Sequence, residues 1–519
     1  MTRPVDEGAC RRRLRGSQPA GRRRGLARSL AHLRAASTLL ASEETREEGV
    51  RRISGEDVEP ACWGRLGRAG RIGRQPRSNS RDTATDNGRR NVKLALTNAT
   101  VFTAVDEEAL TEATVVVDGE RISWVGPAAE DPADAAAVVD CRGKTIIPGL
   151  VDAHAHLVYD GVTDPYTIEL SRPLERAAID AALNAERLLS LGFTSVRDVG
   201  TRGNIAVTIR DAVAAGKLLG PRIKASKQII SVWGGLGDLH PTHIFRREQY
   251  AAALTEIASG PWGVRDVVRQ QVKDGVDWVK CEASGTGFNP LCPADRDTMS
   301  LEELKALCDE AGAKGRPVAC HAESRDSIIN AAKAGARTVE HAIFLDDDGI
   351  QALLDHDVAV CPTLGLYTAF AEKGLDFGIP REIVESHRRT HELHAAAIAR
   401  AHDAGITIIA GSDSGLANFP QGGGLEEICT YVERVGMSPA KALLCATRHA
   451  ARVIGHEEVG TLEAGKLADL LVLERNPLKD VRTITDPAAL TAVMQGGRVA
   501  AGELPAPVVN AVASGAGVG

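Results

Sequence analysis

The chain has 519 residues, of which 62 are Lys or Arg and 69 are Asp or Glu, giving a formal net charge of −7. Its 43% hydrophobic content excludes a wholly disordered chain, and its length exceeds the roughly 250–300 residues that one hydrophobic core sustains, so a large domain plus a smaller one is expected. No run of 18 apolar residues exists, which excludes a membrane-spanning helix, and 3% aromatics with an acidic body argue against nucleic acid as a partner.

The charge is unevenly placed. Residues 1–90 hold 21 Arg, no Lys and 11 acids, about +10, whereas the remainder carries about −17. Arg22, Arg23 and Arg24 superficially resemble a twin-arginine export signal. An apolar segment of about 7–15 residues should follow, but Arg28, His32 and Arg34 interrupt it. The segment 1–90 therefore reads as a disordered Arg-rich extension. Ten cysteines without any CxxC pair read as reduced, buried thiols, which points to the cytoplasm.

From Asn91 the texture changes. "NVKLALTNATVFTA" and "TEATVVVDGERISWVG" are short, partly alternating β-branched runs, with a hairpin turn at Asp118-Gly119. Apolar strand-like runs then alternate with helical segments. Strands are expected at 145–156, 193–199, 221–230, 276–283, 317–322, 338–344, 358–364 and 406–412. Helices are expected between them, for example at 175–190, 301–314, 324–335 and 381–404. In the first, Ala178, Ala182 and Leu189 share a face, and Gly192 ends it. This alternation predicts a parallel sheet covered on both faces, and eight repeats predict a (β/α)8 TIM barrel over 148–456. After about residue 456 the β texture returns in "GTLEAGKLADLLVL" and "LTAVMQGGRVAAGE". The flanks 91–147 and 457–508 are expected to form one small discontinuous β-sandwich domain, making the whole an α/β chain.

Active sites of such barrels lie at the C-terminal ends of the strands. The first strand ends in His154-Ala-His156, two imidazoles on one face. Lys280 ends the fourth ("DWVKCEASG"), His321 the fifth ("VACHAES"), His341 the sixth ("TVEHAIF") and Asp413 the eighth ("IIAGSDSG"). Singly, an HxH is weak, either lone histidine is compatible with a structural role, and Asp413 with a helix cap. Lys280 in an apolar strand says more, because burying an ammonium is costly without compensation. Six such residues at strand ends are hard to assign to chance.

The order HxH, Lys, His, His, Asp, with "GLVDAHAHL" and "GTLEAGKLADLLVL", resembles the amidohydrolase superfamily over about 92–505. "FTSVRDVG", "TVEHAIFLDDDGIQAL" and "SPAKALLCAT" are similar to its imidazolonepropionase-like branch, which includes prolidase-like dipeptidases. The resemblance implies two divalent metals. His154, His156 and Asp413 would hold one and His321 and His341 the other, with carboxylated Lys280 and a hydroxide bridging both. Imidazole and carboxylate suit Zn²⁺, with Mn²⁺ or Co²⁺ as relatives, and carboxylation of Lys280 by CO₂ requires the neutral amine that a desolvated interior favours. Asp413 would pass a proton from the hydroxide to the leaving amine. A homo-oligomer acting on a small-molecule substrate is expected.

Some details depart from relatives. Glu323 follows His321 by two residues, whereas related deaminases place an acid three residues on and lack the lysine; both differences disfavour deamination. His240 and His243 lie where relatives carry a Gly-Gly-His substrate loop. Tyr367 lies where dipeptidase-like relatives place a substrate-contacting tyrosine, with simple packing as the alternative. His356, His387, His391, His394, His402, His449 and His456 read as structural or solvated. The expected reaction is hydrolysis of a dipeptide or N-acyl amino acid; a carbamate, thiocarbamate or urea is the alternative substrate. A non-enzymatic scaffold fits poorly, because all six candidate ligands are present.

Overall fold

The structure is a computed structural model describing residues 93–509, apart from 128–134, 136, 162–164, 239, 241–242, 244–251, 290 and 416–418. The Arg-rich segment 1–90 lies outside the described residues.

Strands from both flanks share one hydrogen-bonded sheet. Its main path runs Arg498–Gly502, Leu490–Gln495, Leu470–Leu473, Thr145–Pro148, Leu94–Phe102, Ala109–Asp118, Arg121–Pro127, and Ala137–Asp140 branches off Leu94–Phe102. The flanks meet where Leu470–Leu473 runs antiparallel to Thr145–Pro148, with Leu470 opposite Pro148. Asp118 pairs with Arg121 across the two-residue loop that Gly119 opens at φ 63°, as the Asp-Gly signal predicts. One face buries Leu96, Val101, Val115, Val117, Ile146, Leu470, Val472 and Met494. Period-two burial of β-branched and aliphatic side chains on one face holds such a sheet together.

The remaining strands are parallel. Leu150–Ala155, Phe193–Asp198 and Arg222–Ala225 form one group. Thr255–Ile257, Ile229–Ser231, Val279–Glu282, Val318–Ala322, Thr338–His341 and Ala359–Cys361 form another. Segment 406–414 links them through parallel bridges Val360↔Ile408 and Ala155↔Ser414. On the other side Asp277 N–H donates to Ala225 O at 2.7 Å.

The helices between these strands follow local signals. Leu301–Ala313 starts on a Ser300/Glu303 capping box. Arg325–Ala334 is capped by Ser324 and ends at Gly335, φ 95°. Leu174–Ser190 buries Ala177, Ala181, Ala185 and Leu188, so its inner face is centred one residue before the expected Ala178/Ala182 stripe; those two flank it half-buried.

Several expected strands are shorter or divided. The 145–156 run splits at Gly149, its first half joining the flank sheet and its second the parallel strands. The 221–230 run divides into Arg222–Ala225 and Ile229–Ser231. The 338–344 strand stops at His341 because His341 and Ala342 adopt left-handed φ. The 406–412 segment carries only isolated bridges. A Cβ on Gly411 would lie 2.4 Å from Cys361 Sγ and 2.6 Å from His154 Cβ, so the chain passes there with no room for a side chain. All eight described cysteines are free and buried, and no helix among the described residues is long and apolar enough to cross a membrane.

Asp469 ties the flank sheet to the parallel strands. Its carboxylate accepts from Arg222 Nε at 2.9 Å, Arg222 Nη2 at 3.0 Å and Gly496 N at 2.7 Å. Asp469→Ala is expected to lower stability by about 2 kcal/mol, since bonds to charged groups contribute about 1.5–3 kcal/mol and Arg222 is partly solvated. The urea midpoint should fall accordingly.

Candidate active site

His154 and His156 are 1% and 3% exposed. Each donates its Nδ1–H away from the cavity, His154 to Glu340 Oε2 at 2.7 Å and His156 to Gly200 O at 2.9 Å. A neutral imidazole that has committed its proton on one side offers a lone pair on the other. Both Nε2 atoms turn to Asp413 Oδ1, at 3.4 and 3.1 Å. Two imidazole nitrogens and a carboxylate oxygen thus converge on one point, a donor set that can hold a cation. Their ligand atoms lie within 4.8 Å of one another.

The other three predicted residues arrive beside them. His321 Nε2 donates to Gly285 O at 2.9 Å, and its ring lies 4.5 Å from that of His341, which is 5.2 Å from His154. His341 Nδ1 is 2.7 Å from Thr363 Oγ1. Burial pushes His321 down to about 3, with the Lys280 ammonium adding to it, and burial also holds His341 well below the usual imidazole range. Both rings are therefore neutral, the form in which histidine ligates metal. Lys280 is 2% exposed, and its Nζ has no hydrogen-bond partner. Burial alone makes that costly, so an unpartnered Nζ next to this donor set fits a site that binds something further.

All six line one cavity of about 580 Å³. Its wall is largely apolar, with Ile229, Leu236, Leu254, Phe288, Ile379 and Ile383. Glu169, Glu282, Thr286 and Tyr367 add polar atoms. Burial pushes Glu282 up to about 7.

The backbone is strained where these side chains are displayed. Among the described residues eight non-glycine positions have left-handed φ, and four are here: His341 (73°), Ala342 (57°), Thr363 (51°) and Asp413 (54°). Such conformations persist only when surrounding contacts over-determine them. They have a use. Strand alternation would send neighbouring side chains to opposite faces, yet Glu340 and His341 both reach His154. Likewise Ser412 bonds Asp152 while Asp413 faces the histidines.

A second layer holds the first, and sequence reasoning missed it. Glu340 and Arg197 are both fully buried. Arg197 Nη2 donates to Glu340 Oε1 at 2.9 Å, Arg197 Nε donates to Ala153 O at 2.6 Å, and the guanidinium lies 4.4 Å above the Trp278 ring. Although burial opposes ionisation, Arg197 and the nearby Lys280 hold the Glu340 carboxyl well below the usual range. The available signal was a charged residue inside each of two apolar strands, "TSVRDV" and "TVEH".

Tyr367 lines the cavity, and its hydroxyl donates to Glu323 Oε1 at 2.7 Å, beside Thr286 Oγ1 at 2.8 Å. Burial pushes Glu323 up to about 7 against these donors. His240 is buried with Nε2 3.3 Å from Glu169 Oε2 but is not among the described lining residues. His243 is exposed and does not line the cavity either. His387 and His394 are buried one layer behind, their rings 5.3 and 5.4 Å from that of Tyr367.

Residues 145–500 match the model of the amidohydrolase family. The chain belongs to that family. It is 28% identical to ochratoxinase of Aspergillus niger over 424 residues, 78% of this chain and 86% of that one. It is 25% identical to imidazolonepropionase of Paracoccus denitrificans over 395 residues, 72% and 92% of the two chains. A crystal structure of a Xaa-Pro dipeptidase with methionine bound in its active site superposes with a TM-score of 0.70 at 27% identity, covering 78% of this chain and 99% of that one. The imidazolonepropionase-like resemblance is thus sound, and the protein is an enzyme, a hydrolase of carbon–nitrogen bonds.

Arg197→Met would take the guanidinium countercharge from the buried Glu340 carboxylate and leave it only the His154 and Thr338 hydrogen bonds. Breaking such a pair typically costs about 3–5 kcal/mol, so the thermal midpoint should drop steeply. A loss under about 1 kcal/mol would show that the pair contributes little net stability.

Proposed function

We propose that the chain is a metal-dependent amidohydrolase cleaving the amide bond of a dipeptide or N-acyl amino acid at the ends of a closed (β/α)8 barrel. The observation that carries this is the convergence of the His154 and His156 Nε2 atoms on Asp413 beside an unpartnered Lys280. His154, His156 and Asp413 would hold one divalent ion and His321 and His341 a second, with Lys280, as its carbamate, between them. Zn²⁺ suits this donor set, with Mn²⁺ or Co²⁺ also compatible. When bound, the ions supply Lewis acidity toward the scissile carbonyl and lower the pKa of water.

The chain's own groups do the rest. Asp413, whose carboxyl the two imidazoles hold well below its usual range against the effect of burial, is ionised and takes the proton of the attacking water on its carboxylate. It then returns that proton to the leaving nitrogen. Proton transfer of this kind contributes about 10²–10⁴-fold. The apolar wall around Phe288, Ile379 and Ile383 takes a hydrophobic side chain or acyl group and excludes water from it. Tyr367 directs its proton to Glu323, so it offers the substrate an acceptor oxygen.

Asp413→Asn should lower kcat about 10²–10⁴-fold. Lys280→Ala should lose most activity and metal, with partial rescue by short-chain carboxylic acids that stand in for the carbamate. Elemental analysis of the purified chain should find close to two metals, and turnover by metal-free protein would overturn the reading. A screen of dipeptides, N-acyl amino acids, carbamates and ureas should return the fastest turnover for an amide flanked by a bulky apolar group.

A further inference from the structure

The turn at His341-Ala342 is held by more than its own strand. Two consecutive residues with side chains are left-handed there, a conformation disfavoured for each of them. Without it His341 would lie on the opposite face of the strand from Glu340. The Ala342 amide donates to Glu340 O at 3.0 Å and Ala322 O at 3.2 Å, which binds the turn to its own and the adjacent strand. The His341 carbonyl meets a side chain from 53 residues later: His394 Nε2 donates to it at 2.7 Å.

His394 is 1% exposed and sits on the buried face of the Arg381–Asp403 helix with Val384, His387, Ala397, Ile398 and Ala401. A carbonyl only accepts, so the His394 proton is on Nε2 and the Nδ1 lone pair is left without a partner. Its ring stands edge-on to Tyr367 at 5.4 Å and 87°, which fixes its direction. We propose that His394 is a positioning residue: by capturing the His341 carbonyl it locks the left-handed turn that swings the His341 ring into the cavity, and so sets occupancy of the metal position that His341 serves. This rests on the reading of His341 as a metal ligand.

The test uses the full chain as wild type, His394→Leu and His394→Gln, whose amide can donate from about where Nε2 stood. Each is loaded with Zn²⁺, dialysed against a graded chelator series and analysed for metal per chain; Co²⁺-loaded samples give the visible ligand-field spectrum. H394L should keep the wild-type far-UV circular dichroism, hold one of the two ions at least about tenfold more weakly, and change the Co²⁺ spectrum. Its kcat should fall with KM nearly unchanged, and H394Q should recover the retention. Wild-type retention and spectrum in H394L, or an H394Q no better than H394L, would overturn the role. If H394L does not fold, H394Q decides alone: two tightly held ions support the role, and a lost ion overturns it. A wild-type chain that binds no Zn²⁺ would overturn the metal reading and this role together, whereas two ions in wild type beside an indifferent H394L would overturn only the role.

Discussion

Two histidine ring protons decide the character of this molecule's centre. Glu340 and the Gly200 carbonyl each take an Nδ1–H, which turns both Nε2 atoms to the Asp413 carboxylate. The three groups crowd together in a dry interior, and among the described residues no lysine or arginine pairs with Asp413 at that point. Lys280 is close enough to depress His321, yet it donates to none of them. The arrangement makes sense as one half of a site whose other half comes from solution.

Holding such a crowded cluster takes an unusual amount of structure. Arg197 and Glu340 form a fully buried ion pair behind His154, extended by Thr338 and by the Trp278 face. Asp152 accepts from the amides of His154 and Ser412 and so ties the first strand to the segment that delivers Asp413. Left-handed backbone at His341, Thr363 and Asp413 is the local expense of this arrangement, and these networks are what keep it from relaxing. The strain is concentrated where side chains must break strand alternation to face the cavity.

Much of the frame was legible in advance. The helices at 301–314, 324–335 and 381–404 lie within one or two residues of Leu301–Ala313, Arg325–Ala334 and Arg381–Asp403, because capping serines, a terminating glycine and apolar spacing are local signals. The six candidate ligands were also readable, since polar residues in apolar runs are conspicuous. Less could be read where geometry depends on a partner. The inner face of Leu174–Ser190 was displaced by one residue, because periodicity gives a stripe's spacing but the neighbouring strands choose its centre. His240 and His243 could not be separated, as nothing within "GDLHPTHIF" says which imidazole turns toward Glu169. His394 looked like one of several helix histidines, and its bond to His341 exists only through a contact 53 residues long.

By itself the sequence determined the strand–helix alternation, the family, and which six side chains to look for in one cavity, because those follow from local pattern and residue chemistry. Only the tertiary structure decided which imidazole nitrogens face inward, which buried charges stand behind them, and how His341 and Asp413 turn into a cavity that strand alternation would have denied them. Hydrogen-bond direction and backbone handedness are set by atoms that meet across the fold, and no stretch of sequence contains both partners.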